Sequence, residues 1–319
     1  MWLHEYERLL HDATPNAFDA SVVLKARHRP RSVFKYRGPT ELALDSLRGG
    51  YVWLSQPQYF NDGYDSAILL DHDRLLATTM RRSIRSLIAE QDLATPLSEA
   101  DIRSVESSED PARTLGALLL KQDPSLAHID PDTVLNALAA AVHRLSDDYE
   151  QAAREIARRS ILVCSFATTG TAPVLWANYA ENNTGFCIEY ELAQIPPDDI
   201  RLRLLFPVIY GSAPMDATRV FEDFLGNGLN AMTVRWPILA ATYKHHDWSY
   251  EREWRLVDPA GHRVNGRKVP MPMKAAYLGT AIRSEAAAKV IAAAKQHGIP
   301  VFRMQVGKDA SALSPVQVE

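Results

Sequence analysis

Two glutamates separated by one residue lie within the stretch WSYEREWRLV, at residues 248–257. If this stretch is one β-strand with alternating faces, its aromatic residues point to one side, and Glu251, Glu253 and Arg255 point to the other. One carboxylate could then stabilise positive charge in a transition state while the other accepts a proton, which would make this face an active site. The structural alternative is a solvated face of an edge strand, on which Arg255 simply pairs with the glutamates.

Other polar side chains with useful chemistry lie at predicted strand ends, turns and one short helix far apart in the chain. They are Lys35, Tyr36, Arg37, Asn61, Asp62, Asp65, Ser165, Trp176, Asn178 and Tyr179. Several also fit ordinary structural roles, because Asn61 and Asp62 are good turn residues and Asp65 could cap a helix. Trp176 and Tyr179 are three apart on a predicted helix, a spacing that favours packing in the core.

Several familiar catalytic motifs are absent from the sequence. It contains no GxxxxGK[ST] phosphate loop, no GxGxxG after a strand, and no GxSxG, HExxH or CxxC motif. His245, His246 and Asp247 are the densest group of metal-ligating residue types. Because adjacent side chains on a strand point to opposite faces, we predict no metal site there.

The composition is typical of a soluble globular protein. The chain has 319 residues, of which 46% are hydrophobic and 23% charged, with a formal net charge of -4. Two cysteines argue against a disulfide scaffold, and no run approaches the roughly 20 apolar residues of a membrane span. We therefore expect a cytoplasmic protein with no membrane segment.

The pattern of predicted elements favours an α+β fold interrupted by helices. Residues 1–72 and 160–319 contain most of the strand-forming sequence, whereas residues 73–159 are rich in Ala, Leu and Arg at helical spacing. We predict a body of split, mixed β-sheets and a helical insertion or lid over 73–159.

In combination, the polar motifs resemble one bacterial family. The motifs FKYRG, YFNDGYD, CSFA, LWANYAENNTGFCIEY and WSYEREWRL, in this order, are similar to those of domain-of-unknown-function family 2971. The resemblance covers about residues 31–72 and 160–280. Gly63 replaces the proline usual in the family's turn, and Ala167 replaces the second serine of its SFS strand.

An arginine on the first strand, a serine on a middle strand and E-x-E on a late strand also resemble arginine–serine–glutamate ADP-ribosyltransferases. That resemblance implies NAD as co-substrate, with Arg37 on the pyrophosphate and Ser165 in a positioning role. It implies that Glu253 stabilises the oxocarbenium-like ribose and that Glu251 acts on the acceptor. The remaining predicted NAD-binding residues are Lys35, Asn61 and Asp62, with Tyr36, Tyr64 or Trp176 stacking on nicotinamide.

The function so implied is ADP-ribosyl transfer to a protein or nucleic-acid acceptor, or NAD hydrolysis when no acceptor is present. By analogy, such a protein acts as a toxin or phage-defence effector and could have a partner or antitoxin. One alternative is a nucleic-acid phosphodiesterase that uses Asp62, Asp65, Glu251 and Glu253. Another is a non-catalytic adaptor that senses a nucleotide.

Overall fold

A computed structural model describes residues 2–12, 14–60, 62–90, 97–122, 130–227, 235–259, 264–307 and 313–318. These residues combine helices with several β-sheets, so the protein is of the α+β class, as predicted. They divide into two compact units: the first is Met1–Ser66, Arg158–Ser212 and Pro237–Glu319, and the second is Ala67–Ala157 and Ala213–Trp236. Within the described part of the chain, no helix has the length and apolar character needed to cross a membrane.

The strands are numbered in chain order. They are β1 (Ser32–Arg37), β2 (Tyr51–Ser55), β3 (Ile68–Leu69), β4 (Leu162–Phe166), β5 (Phe186–Glu191), β6 (Leu205–Pro207), β7 (Ile209–Gly211), β8 (Met215–Asp216), β9 (Tyr243–His245), β10 (Trp254–Asp258), β11 (Gly266–Pro270), β12 (Met273–Leu278), β13 (Val301–Val306) and β14 (Leu313–Gln317).

The α-helices are numbered in the same way. They are α1 (Trp2–His11), α2 (Pro15–His28), α3 (Glu41–Gly49), α4 (His72–Glu90), α5 (Glu99–Ser107), α6 (Pro111–Gln122), α7 (Pro131–Ser160), α8 (Pro173–Tyr179), α9 (Ile200–Arg203), α10 (Thr218–Asn227), α11 (Arg235–Ala240) and α12 (Ser284–Gln296).

The first unit contains two five-stranded sheets. The first sheet has the order β1-β5-β12-β13-β14, and the second has the order β11-β2-β4-β10-β6. The sheets meet where Phe34 of β1 and Ala167, just after β4, exchange both backbone hydrogen bonds, at N–O distances of 2.8 and 2.9 Å. β1 and β4 therefore lie side by side although their sequences are more than 100 residues apart.

The apolar faces of the two sheets share a core with helices. Leu54 of β2 and Cys164 of β4 are buried in one cluster with Leu44 of α3 and Val290 of α12. Helix α3 forms as predicted, because Thr40 accepts the amide of Ala43 at its start and Gly50, with φ of 63°, ends it in the left-handed region. The opposite face of β4, with Val163 and Ser165, is the one that faces the candidate site.

The second unit is mainly helical. Helices α4 to α7 account for most of the described residues between 73 and 159, and Ile84, Ile102 and Val105 are among the buried residues of their core. The unit also includes Ala213–Trp236, which the sequence analysis assigned to the body. Within this unit β8 pairs with β3, and Glu222 of α10 accepts two hydrogen bonds from Arg74 of α4, at 3.0 and 2.6 Å.

Candidate functional site

A cleft of about 200 Å³ in the first unit is lined by polar and aromatic side chains from distant parts of the sequence. The polar lining residues are Lys35, Arg37, Ser55, Asp65, Ser165, Tyr179, Lys244, Glu251 and Glu253, and the aromatic ones include Phe34, Tyr36, Trp53 and Phe60. Eight residues predicted from the sequence are therefore brought together here: Lys35, Tyr36, Arg37, Asp65, Ser165, Tyr179, Glu251 and Glu253.

The stretch that carries the two glutamates is not one strand. Its first part is a 3-10 turn over His246–Glu251, Arg252 adopts the left-handed conformation with φ of 47°, and β10 begins only at Trp254. The chain leaves β9 in one sheet and must turn to enter β10 in another, and this turn interrupts the alternation predicted from residue 248. The predicted common strand face for Glu251 and Glu253 is therefore wrong, although both side chains line the cleft.

Lys244 joins the two glutamates. Its ammonium nitrogen lies 2.5 Å from Glu251 Oε2 and 3.3 Å from Glu253 Oε2, and all three side chains are nearly inaccessible to solvent. A buried lysine between two carboxylates keeps both close together, because it offsets their mutual repulsion. Lys244 is not among the residues predicted from the sequence, where its one signal is a lysine that follows the apolar run ILAATY.

Arg255 fixes the position of Glu253 from the other side. Its guanidinium donates to Glu253 Oε2 at 2.9 Å and forms a two-pronged pair with Asp65, at 2.8 and 2.6 Å. A further bond goes to the carbonyl oxygen of Ala241 at 2.7 Å. Arg255 is fully buried, so this is an internal ion network, in contrast to the solvated strand face that was the structural alternative.

The surroundings move the pKa values of the two glutamates in opposite directions. Burial and the negative charge of Glu253 raise the pKa of Glu251 above its ordinary value, and Lys244 only partly offsets this. Burial would also raise the pKa of Glu253, but Arg255 and Lys244 outweigh burial and hold that pKa well below its ordinary value. Two neighbouring carboxyl groups with separated pKa values are suited to different chemical roles.

Two tyrosines hold the glutamates in place. The hydroxyl of Tyr179, on α8, donates a short hydrogen bond to Glu251 Oε1. The backbone amide of Glu253 donates to the hydroxyl oxygen of Tyr210 at 2.8 Å. The spacing of Trp176 and Tyr179 predicted that both side chains pack in the core. Trp176 is fully buried there, whereas the hydroxyl of Tyr179 reaches the site.

The cations of β1 differ in how they are bound. Lys35 donates to the carbonyl oxygen of Ser165 at 2.7 Å, and burial lowers the pKa of its ammonium group. Arg37 has no hydrogen bond or ion pair from its guanidinium to any described residue, and it lines the cleft. Gly185 lets β5 begin close to this end of β1, since a Cβ there would lie 2.1 Å from the carbonyl oxygen of Arg37. An unpaired guanidinium in a cleft is suited to an anionic ligand.

Other predicted residues lie outside the cleft lining. Trp176 is fully buried, donates from its indole to the carbonyl oxygen of Gly170 at 2.8 Å and packs edge-on against Tyr36. Tyr64 is 83% exposed, and its amide donates to Asp62 in a turn. Asn61 lies outside the described residues.

Tyr36 itself contributes little ring surface, because it is only 6% exposed and its hydroxyl donates to the carbonyl oxygen of Thr169. Tyr36 and Trp176 are therefore core residues, and neither offers a free ring face for stacking.

His245, His246 and Asp247 form an exposed group whose candidate ligand atoms lie within 4.8 Å of one another. The prediction that alternation separates the two imidazoles does not apply, because β9 ends at His245 and the other two residues begin the turn. Each imidazole instead lies 3.2 Å from a carboxylate oxygen of Asp247.

Comparison with known proteins gives one match. No curated protein and no solved structure matches the chain. Residues 175–256, which include most of α8, all of β5, Lys244, both glutamates and Arg255, match the family described as "Protein of unknown function (DUF2971)", and this confirms the resemblance inferred from the sequence motifs.

Proposed function

We propose that the protein transfers ADP-ribose from NAD to a macromolecular acceptor, and hydrolyses NAD when no acceptor is present. The observation that carries the proposal is that Arg37, Ser165 and Glu253 line one cleft together with Glu251. They come from separate parts of the first unit, in the order that the resemblance to ADP-ribosyltransferases implies. The ADP-ribosyltransferase-like fold is part of the same proposal.

The proposed step breaks the bond between ribose C1′ and the nicotinamide nitrogen. The bonding electrons leave with nicotinamide, and positive charge develops on the ribose. Glu253 is suited to stabilise that charge, because its lowered pKa keeps it ionised throughout the neutral range. The acceptor nucleophile then bonds to C1′ and gives its proton to Glu251, whose raised pKa makes it the better base of the two. In hydrolysis, water bonds to C1′ instead and releases its proton to the solvent.

The charge balance of the buried network supports this assignment. Lys244 and Arg255 supply two positive charges, and Asp65, Glu251 and Glu253 supply three negative charges when both glutamates are ionised. One negative charge is then left over. Lys244 lies nearer to Glu251 than to Glu253, so its ammonium mainly neutralises the proposed base. The buried ammonium of Lys35 also acts on Glu253, so stabilisation of a ribose cation is assigned to the Glu253 carboxylate itself and not to an excess of negative charge in the cleft.

Arg37 is the proposed anchor for the pyrophosphate. Its guanidinium has no partner among the described residues, and a guanidinium binds phosphate oxygens through two parallel hydrogen bonds. Ser165 is proposed to position Glu253, because its side chain lies close enough to that carboxylate to help lower its pKa. A role as a toxin or phage-defence effector remains an analogy, and the acceptor is proposed to be a protein or a nucleic acid.

The decisive experiment follows labelled NAD with purified protein, with and without a cell lysate. We expect Glu253→Gln to lower NAD consumption by about a hundred- to a thousand-fold, because it removes a charge that acts in the transition state. Glu251→Gln should largely spare hydrolysis and depress transfer. The control is Glu189→Gln, which alters a buried carboxylate that binds Tyr277 and Lys274 outside the cleft lining; it should leave both activities at the parental level.

Each outcome separates the competing functions. Undiminished NAD consumption by a folded Glu253→Gln protein would refute the proposed mechanism. Cleavage of nucleic acid with Mg²⁺ or Mn²⁺ and no NAD would instead support the phosphodiesterase alternative. Saturable NAD binding without turnover would support the adaptor. Melting temperatures must accompany these assays, because Glu253 belongs to the buried network and its loss also affects folding.

A further inference from the structure

Trp53 is an exposed aromatic residue in the middle of a buried strand. Its neighbours Val52 and Leu54 on β2 are completely buried, whereas Trp53 is 43% exposed. Alternation places Trp53 and Ser55 on the same face of β2, and both line the cleft. Exposure of this much apolar surface to water is unfavourable, because of the hydrophobic effect. The exposed ring of Trp53 therefore favours contact with a binding partner.

The indole ring of Trp53 packs against a glycine of the neighbouring strand. Gly266 begins the neighbouring strand β11, and a Cβ built on it would lie 2.0 Å from Cζ2 of Trp53 and 2.6 Å from Cε2. Any side chain at position 266 would displace the ring, so the glycine lets the indole rest against the backbone of β11. The ring is held on this side while part of its surface remains open to solvent.

The same cleft contains the other groups that bind a nucleotide. Arg37 offers an unpaired guanidinium within the described residues, and Glu251 and Glu253 offer carboxylate oxygens that can accept from ribose hydroxyls. Phe60 adds a second aromatic lining residue. Stacking on an aromatic ring suits any nucleobase, because every base has a π-face.

The size of the cleft limits what it can enclose. Its volume of about 200 Å³ lies below the roughly 300–1,000 Å³ of pockets that bury a drug-sized ligand. A nucleoside monophosphate is already about the size of such a ligand and a dinucleotide is larger, so the cleft would hold one half of a dinucleotide with part of it still at the opening. One base, one ribose and one phosphate form the unit that matches the indole, the carboxylates and the guanidinium.

We infer that Trp53 is the stacking surface for the base of a nucleoside monophosphate unit, whose phosphate binds Arg37. This inference rests on the proposed function, because it takes the nucleoside monophosphate unit to be one half of NAD. It adds that the cleft holds one half of the dinucleotide and that Trp53 stacks on the base of that half. In this inference Trp53 takes the stacking role that was predicted from the sequence for Tyr36, Tyr64 or Trp176.

Calorimetric titration of the full chain with NAD, nicotinamide mononucleotide and AMP tests the inference. We expect NAD and one of the two mononucleotides to bind, and that mononucleotide identifies the enclosed half. Trp53→Leu should weaken binding of both by about tenfold or more, whereas Trp53→Phe should keep most of the affinity. The matched control is Tyr59→Leu, which removes a more exposed aromatic ring outside the cleft lining and should bind like the parent.

Gly266→Ala provides a second route that leaves Trp53 in place. The added methyl group would displace the indole, so we expect binding to weaken as in Trp53→Leu while the melting temperature shows that the protein is folded. Parental affinity in folded Trp53→Leu and Gly266→Ala proteins would overturn the inference, as would a parent protein that binds none of the three nucleotides.

The two proposals fail in different ways. Trp53-dependent binding of NAD without any NAD consumption would support the inference and refute the proposed transfer reaction. NAD consumption whose Michaelis constant is unchanged by Trp53→Leu would support the reaction and refute the inference.

Discussion

Lys244 influences the charge state of both glutamates of the site. Its ammonium group contacts both Glu251 and Glu253. Among the described residues it is ion-paired with no other carboxylate. Of the cations nearby, Arg255 is held mainly by Asp65 and Lys35 by a carbonyl oxygen. Removing the ammonium of Lys244 would therefore leave an uncompensated negative charge in a nearly solvent-free place.

The variant Lys244→Met tests this role. We expect a loss of about 3–5 kcal/mol in the free energy of unfolding at pH 8, as for other broken buried ion pairs. Lys244 lowers the pKa of Glu251, so its removal raises that pKa further. An acid whose folded-state pKa lies above its unfolded value loses stabilisation as the pH rises through the folded value. The defect should therefore be smaller at pH 5 than at pH 8.

Lys274→Met is the matched control for this comparison. Lys274 also bridges two carboxylates, Glu189 at 2.8 Å and Glu191 at 3.1 Å, but its side chain is 48% exposed. Solvent screens such a pair, so its loss should cost about 0–1 kcal/mol. Denaturant unfolding of both variants at the two pH values decides the point. Equal defects in the two variants, or a Lys244→Met defect independent of pH, would contradict the role assigned to Lys244.

Among the elements, the turn between β9 and β10 determines where the glutamates point. It consists of the 3-10 turn ending at Glu251, followed by Arg252 with φ of 47° and ψ of 53°. A residue in this left-handed region changes the direction of the chain sharply. Glu251 therefore lies in the turn and outside the line of β10. Arg252 is exposed, so the conformation of its backbone can be tested with little change in side-chain packing.

Substitutions at Arg252 should rank by their tolerance of positive φ. We expect Arg252→Gly to keep or raise stability by up to about 1 kcal/mol, since glycine has no Cβ to strain. Arg252→Val should lose about 1–2 kcal/mol, because a β-branched residue is poorly tolerated there. Chemical denaturation measures both, with Arg252→Asn as the control that tolerates the same conformation. Valine and glycine variants of equal stability would show that position 252 does not require positive φ.

At the level of the whole molecule, the buried ion network ties together segments of the first unit that are far apart in sequence. Asp65 precedes the second unit in the chain, whereas Lys244 lies on β9 and Arg255 on β10. Folding must bring these segments together before their charges are neutralised. The stability of the protein should therefore depend on the ionisation of the carboxylates in this network.

Acid unfolding should show this dependence through Glu253. Its pKa falls from 4.5 to about 2 on folding, so its stabilising contribution is present above pH 4.5 and is lost as the pH falls toward 2. Near neutral pH we expect Glu253→Gln to be less stable than the parent by about 3 kcal/mol. That difference should shrink steadily below pH 4.5, because the parent then carries a protonated glutamate at the same place.

Denaturant midpoints of the two proteins between pH 6 and 2.5 measure the difference. The control is Glu41→Gln, which removes a carboxylate that lies exposed at the start of α3 and pairs with Arg48 and Lys289. It should alter stability much less than Glu253→Gln at every pH. A constant gap between the parent and Glu253→Gln down to pH 2.5 would mean that the network does not lower the pKa of Glu253.

Features that depend only on neighbouring residues can be predicted from the sequence of this protein. The cap residues of α3, Thr40 and Gly50, act locally, and alternation within β10 correctly buries Trp254 and Leu256. The α+β class followed from the spacing of apolar residues, which reports burial on one face of each element. The family resemblance followed from motifs whose order is itself a property of the sequence.

Which polar residues share the cleft, and what each of them binds, depends on contacts between distant segments of the fold. Asp65 and Arg255 are 190 residues apart, and no local pattern predicts their pairing. The same holds for Trp53, which the sequence alone identifies only as an ordinary strand residue. Its contact with Gly266 joins two strands that are far apart in the sequence. Lys244 and Glu251 lie seven residues apart, but a turn brings them together, and it depends on β9 and β10 belonging to different sheets. Such contacts depend on how strands pair across the fold, and pairing is a long-range property that side-chain period and composition do not specify.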